Sequence, residues 1–196
     1  AGDVERLVAA GVLDAAIAQR GLPEALTGDA LHLGVTEALP YFAKQRRITF
    51  ARVGLTDPLS LDDYAAHGGW TGLDKALAMA PAAVVGEVLE AGLRGRGGAA
   101  FPAGIKWKTV AAAAGARKAV VCNADEGDSG TFSDRMLMEG DPYTLVEGMA
   151  IAGVAVGATY GVIYIRSEYP HAEATLREAI ARATAAGHIG AALRGK

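Results

Sequence analysis

The sequence predicts an α/β fold, a parallel sheet with flanking helices preceded by a mixed lead-in segment. Three observations predict it. The second half alternates strand, helix, strand, helix, an order that lays successive strands parallel in one sheet. The run Gly161–Ile165 is β-branched and aromatic, as strands are, and follows a small-residue helical stretch. Hydrophobic residues make up 51% of the 196 and charged residues 21%, enough to pack a core and too apolar for extended disorder.

Taken in order, the lead-in covers about residues 1–75. Residues 3–20 have the spacing of an amphipathic helix, and 31–54 mix loop and short-strand signals. Turn chemistry at Asp57-Pro58 precedes Ser60, a candidate helix N-cap. Pro81 opens a helix over 81–92, with Val84, Val85, Val88 and Leu89 on one face. A glycine-rich loop occupies 92–107, and 105–114 are helical. Lys118–Cys122 is a short buried strand, followed by a long polar loop over 123–135. Residues 141–158 form a helix with Pro142 in its first turn. Gly148, Gly153 and Gly157 are expected to let it lie close on the sheet. A strand over 160–166 and a helix over 170–187, ended by Gly187, complete the pattern.

Several function classes are excluded. A net charge of −3 argues against a broad nucleic-acid surface. The lone Cys122 cannot build a disulfide framework or a four-cysteine zinc or iron–sulfur site, and it reads as a small buried hydrophobe. His32, His67, His171 and His188 have no metal-ligand spacing, so no metal site is expected. Residues 148–165 carry no charge, the lower limit for a membrane span, but Thr159-Tyr160-Gly161 splits them into helix and strand. The opening residues are charged and helical in pattern rather than a secretory signal. A cytoplasmic chain without a membrane span is expected.

Two loops carry the chemistry. In the first, Gly95, Gly97 and Gly98 bracket Arg96, with Arg94 before and Lys106 and Lys108 after. Glycines let backbone N–H groups approach an anion, a following helix start adds its dipole, and Arg or Lys supplies charge to phosphate. Two readings stand, a phosphate cradle and a helix-to-helix turn with solvated arginines. The dinucleotide fingerprint GxGxxA fits Gly95–Ala100 in letters, but a helix precedes it where a strand is required. A Walker loop fails because no Ser or Thr follows Lys106. In the second loop, Asn123, Asp125, Glu126 and Asp128 stand at the carboxyl end of a parallel strand, where α/β folds place ligands. Asn can donate and accept along the edge of a heterocycle. The alternative is a solvated acidic loop, and the calcium-loop order is missing.

Together, GLRGRGGAAFPAGIKW (92–107) and VCNADEGDSGTFSDR (121–135) resemble one family, the flavin (FMN) and NADH-binding subunits of respiratory complex I, NAD-reducing hydrogenases and NAD-dependent formate dehydrogenases. The resemblance continues through DPYTLVEGM (141–149) and YIRSEY (164–169) and covers about residues 48–190. EGDSGTF (126–132) and the stretch over 40–64 look most like the β subunit of a molybdenum-dependent formate dehydrogenase. The complex I and hydrogenase flavin subunits are the alternatives. A scaffold piece without cofactor is a reading of another class.

The resemblance implies a Rossmann-like FMN-binding layer over 48–196, with 1–47 ending a thioredoxin-like module. It implies that Gly95, Arg96, Gly97 and Gly98 line the FMN phosphate and ribityl region, with Lys106 nearby. Asn123 and Asp125 hold the polar edge of the isoalloxazine, Phe101 stacks on the adenine of NAD(H), and Glu126 and Asp128 lie near the nicotinamide. No side chain is required as acid, base or nucleophile. Asp128 replaces the Glu common in complex I relatives, and Thr109 stands near a second aromatic of the adenine clamp. The family's later flavin contacts and the cysteines of its [4Fe–4S] cluster fall after Lys196, so an N-terminal portion of the subunit is expected. The implied partners are a thioredoxin-like [2Fe–2S] subunit and a molybdenum/iron–sulfur catalytic subunit.

Overall fold

The computed structural model describes residues 39–115, 117–191 and 193–195. The helix expected at 3–20 and most of the lead-in 1–47 lie outside them. The chain divides into two compact units, Ala1–Ile48 and Thr49–Lys196. Within the first, residues 39–45 form turns closed by Ala43 N–H to Leu39 O at 2.8 Å.

The second unit is α/β. Its described elements run α1 (Leu61–Ala66), α2 (Thr71–Leu77), α3 (Pro81–Glu90), α4 (Ala103–Ala112), β1 (Ala119–Ala124), α5 (Ser133–Gly140), α6 (Pro142–Val156), β2 (Tyr160–Ile165) and α7 (Pro170–Ala185). The short-strand signals around 49–54 resolve as turns. Ser60 is the N-cap of α1, its side chain accepting from Asp63 N–H at 3.1 Å.

β1 and β2 pair in parallel, Ala119 against Tyr160 through Ala124 against Ile165. The alternation of the strands divides their side chains. Cys122, Ala124, Ile163 and Ile165 pack with Met138, Tyr169, Ala172 and Leu176. Val121, Val162 and Tyr164 face outward and are exposed. The sequence suggested buried strands, and among the described residues helices cover one face of the pair and leave the other exposed. Burial pushes the Cys122 thiol pKa up, which fits a small hydrophobe and not a nucleophile.

α6 is the central element, touching α2, α3, α4, α5, α7 and both strands. Its sequence explains this, because a helix apolar on nearly every side is stable only when surrounded. It is 15 residues long, and among the described residues no helix is long and apolar enough to cross a membrane. Gly148 has open space where its side chain would be, and Gly157, at φ +73°, terminates the helix. These glycines therefore do not serve the close sheet packing expected of them.

Buried polar groups fix the start of α6. Asp141, its N-cap, is 2% exposed and accepts from Arg52 Nε at 2.9 Å, while Arg52 also reaches Thr144 Oγ1. One turn on, the buried Glu147 carboxylate accepts from Trp70 N–H and Leu73 N–H at 2.8 Å each and from Tyr64 Oη at 2.5 Å. It thus caps α2 from across the core. α7 ends at Gly187, φ +74°, with His188 N–H to Ala183 O at 2.8 Å and Gly187 N–H to Thr184 O at 3.0 Å, the paired bonds of a Schellman close.

Candidate functional site

The glycine loop is a pinched excursion between α3 and α4. An antiparallel bridge joins Arg94 to Pro102, Gly95 N–H donates to Phe101 O at 2.9 Å, and Ala103 N–H donates to Leu93 O at 2.8 Å. Arg94 Nη1 donates to Ala100 O at 3.1 Å. The neck is therefore tied and the tip free. Gly97 and Gly98 have no atom within 4 Å of an added Cβ, whereas Gly104 would drive one into Leu89 at 2.7 Å. Gly104 is thus a packing glycine between α3 and α4, and Gly97 and Gly98 border empty space. Pro102, the N-cap of α4, offers no side-chain acceptor, so beyond Ala103 the positive end of the helix has no side-chain cap. Arg96 and Lys106 are exposed, and among the described residues neither enters an ion pair. Phe101, 50% exposed, presents its ring beside this helix start. These features fit a phosphate-bearing ligand: open backbone, an uncapped helix start and unpaired cations.

Ala100 stands in the loop at φ +51°, a conformation that costs a non-glycine residue about 1–2 kcal/mol. Ala100→Gly should raise stability by roughly 0.5–1 kcal/mol, the relief of that strain less the added freedom of the unfolded chain. A urea titration checks it, and a lowered midpoint would contradict the strain.

The acidic loop is shorter than its sequence suggests. β1 extends through Asn123 and Ala124, so Asn123 is a strand residue opposite Tyr164. Asn123 and Tyr164 share the exposed face with Val121, and Asp125 joins them in one depression at the strand end. Asp125 N–H donates to Asn123 Oδ1 at 3.2 Å. The loop spans 125–132 and ends in α5, a helix that the sequence hides. Its N-terminus is capped from a distance by Glu126, whose carboxylate accepts from Asp134 N–H and Arg135 N–H at 2.8 Å each and from Ser133 Oγ at 3.2 Å. Both Glu126 oxygens are therefore engaged in holding the loop to α5. Asp128 is exposed on the loop.

The sequence-derived residues thus form two groups. Gly95, Arg96, Gly97, Gly98, Phe101 and Lys106 surround the start of α4. Asn123, Asp125, Glu126 and Asp128 stand at the end of β1. Among the described residues no hydrogen bond or ion pair joins the groups. Sequence reasoning missed Arg166 and Tyr169, which bind the Glu126 carbonyl from the end of β2, each at 3.3 Å. YIRSEY (164–169) was visible as a motif, but nothing in it announced that contact.

A glycine loop that opens a helix and a polar loop at the carboxyl end of a parallel strand are features of an α/β cofactor-binding domain. The comparisons make this specific: residues 88–194 match the family described as Nuo51 FMN-binding domain, and the chain belongs to that family. It is 52% identical over 147 residues to the NADP-reducing hydrogenase subunit HndC of Solidesulfovibrio fructosivorans, covering 75% of this chain and 30% of that protein. It is 47% identical over 131 residues to an NADH-quinone oxidoreductase subunit of Aquifex aeolicus, covering 67% and 30%. Among solved structures, NAD+-reducing [NiFe]-hydrogenase in its air-oxidized state is similar at a TM-score of 0.56 and 34% identity, covering 72% of this chain and 23% of that one. The chain therefore spans about a third of the length of the curated relatives it matches.

These matches correct the formate dehydrogenase expectation. They fall on hydrogenase and NADH-quinone oxidoreductase subunits. Part of the stretch that suggested otherwise, residues 127–132, is exposed loop, where substitutions cost little packing. Residues that packing does not constrain are weak ground for separating branches of one family.

Proposed function

We propose that this chain forms part of an FMN-bearing diaphorase subunit that exchanges a hydride with NAD(H) and relays electrons to or from iron–sulfur clusters. The complex is of the NAD(P)-linked hydrogenase or NADH-quinone oxidoreductase kind. The observation that carries the reading is the open Gly97–Gly98 tip before the uncapped start of α4, with Arg96 and Lys106 unpaired beside it.

In this reading, backbone N–H groups of Gly97 and Gly98, with the Arg96 and Lys106 charges, hold the FMN phosphate, and Gly95, its N–H taken by Phe101 O, lines the ribityl region. Asn123 and Asp125 grip the polar edge of the ring system. Phe101 offers its exposed face to the adenine of NAD(H). Asp128 points its charge toward the nicotinamide end, and Glu126 fixes the loop that carries it. Bound FMN supplies the change from two-electron hydride chemistry to one-electron transfer. The protein binds and orients, with no side chain of this chain needed as acid, base or nucleophile. The rest of the subunit would hold a [4Fe–4S] cluster and a thioredoxin-like partner a [2Fe–2S] cluster, which would supply the one-electron path.

The test is flavin absorbance of the purified assembly and its bleaching by NADH. A cofactor-free scaffold shows neither. Asp128→Asn should then change the affinity for NADH or NAD+ while flavin content stays full. Lost FMN with unchanged nucleotide affinity would refute the placement of Asp128.

A further inference from the structure

We infer that Arg166 and Tyr169 are positioning residues for the flavin end of the site, acting through the backbone of Glu126; the inference rests on the FMN reading above. Glu126 is held in a conformation that a non-glycine residue rarely adopts, φ +46°. Such a residue persists only where its surroundings over-determine it, and those surroundings cluster at functional sites. Here the surroundings are explicit. Its carboxylate is bound by three donors at the start of α5. Its carbonyl accepts from Arg166 Nη1 and from Tyr169 Oη, each at 3.3 Å. One residue therefore ties the end of β1 to α5, to the end of β2 and to the start of α7.

The clamp is itself braced. Tyr169 is 8% exposed, and the guanidinium groups of Arg135 and Arg166 each lie 5.5 Å from its ring centroid. Arg166 Nη2 is anchored on Glu168 Oε1 at 2.9 Å. Arg166 Nε is buried with no partner. A buried unpaired donor weakens the fold, so stability alone is a poor account of this arginine. What it secures is the carbonyl that follows Asp125. With that carbonyl fixed, Asn123 and Asp125 stand in one orientation at the strand end and the Asp128 loop departs in one direction. Without it, Glu126 can relax to an ordinary φ, and the polar edge that meets the flavin turns with it.

The experiment uses the complete subunit, with FMN removed and titrated back, read by flavin fluorescence, together with the midpoint potential of the bound flavin and the melting temperature. Arg166→Met should raise the FMN dissociation constant roughly tenfold and shift the potential, a change of the size one charge-assisted hydrogen bond supports. Tyr169→Phe keeps the ring and loses only the donor, and should raise it about threefold. Arg166→Lys restores one donor to the carbonyl and should recover most of the loss. Arg177→Met removes an exposed pair with Glu173 on α7 and should leave both flavin readouts at the wild-type value. If Arg166→Met does not fold, Tyr169→Phe carries the comparison. Wild-type affinity and potential in Tyr169→Phe and Arg166→Met overturn the inference alone, as does an Arg166→Lys as impaired as Arg166→Met. A wild-type subunit that takes up no FMN overturns the functional reading and this inference with it.

Discussion

Glu147→Leu is expected to destabilise the chain by about 3–5 kcal/mol, because buried donors are left without an acceptor at about 1–3 kcal/mol each. Three donors converge on this carboxylate: Tyr64 Oη, Trp70 N–H and Leu73 N–H. Leucine matches its volume and accepts nothing, so two backbone N–H groups at the head of α2 lose their partner in a place water does not reach. Glu147→Gln should fall between. An amide has one acceptor oxygen, and its NH2 must face either Trp70 N–H or Leu73 N–H, both fixed donors. Tyr64→Phe removes only the hydroxyl and should cost about 1 kcal/mol. The link to Glu147 also shows in the Tyr64 phenol, whose pKa is raised well above its ordinary value by burial first and by that hydrogen bond second. Thermal unfolding of the complete chain measures the series. Glu147→Leu should lower the melting temperature by roughly 10 °C. A loss as small as that of Tyr64→Phe would mean that the carboxylate is not what holds α2.

Much of the fold could be read from local signals, and the reason differs by element. Pro81, Pro142 and Pro170 each open a helix, because a fixed φ and a missing N–H suit only the first turn. Gly187 closes α7 for the complementary reason, its positive φ. The parallel pairing of β1 and β2 followed from strand, helix, strand order. What stayed hidden depends on distant partners. α5 has no side chain of its own at its cap; its acceptor is Glu126, seven residues before the helix begins. Glu147 gave one faint sign, a carboxylate directly before a long charge-free run, yet its partners lie more than 70 residues away. The two candidate loops were visible as composition, but composition could not say which glycines were open. Gly97 and Gly98 border empty space while Gly104, a few residues on, is packed against the backbone of Leu89. The finer family assignment failed for a related reason. It leaned partly on exposed loop residues, which packing does not constrain.

That difference between glycines sharpens the test of the cradle. Gly98 sits at φ +98°, so any side chain there strains the backbone whether or not a ligand binds, and a loss of stability would decide nothing. Gly97 does not have a positive φ, and an added Cβ meets nothing within 4 Å. Gly97→Val should therefore leave the melting temperature of the flavin-free subunit nearly unchanged and abolish FMN binding, because the branched side chain fills the space the ligand needs. Arg96→Ala makes the electrostatic counterpart. Among the described residues its guanidinium has no ion pair to lose. A charge-assisted contact to phosphate is worth roughly 1.5–3 kcal/mol, so the variant should weaken FMN binding by about one to two decades with little change in stability. Raising the salt concentration should narrow the Arg96→Ala gap, since an exposed charge is screened, and leave the Gly97→Val defect in place, since a steric block is not. If both variants keep wild-type flavin affinity, the loop is a plain connection between α3 and α4 and the phosphate lies elsewhere.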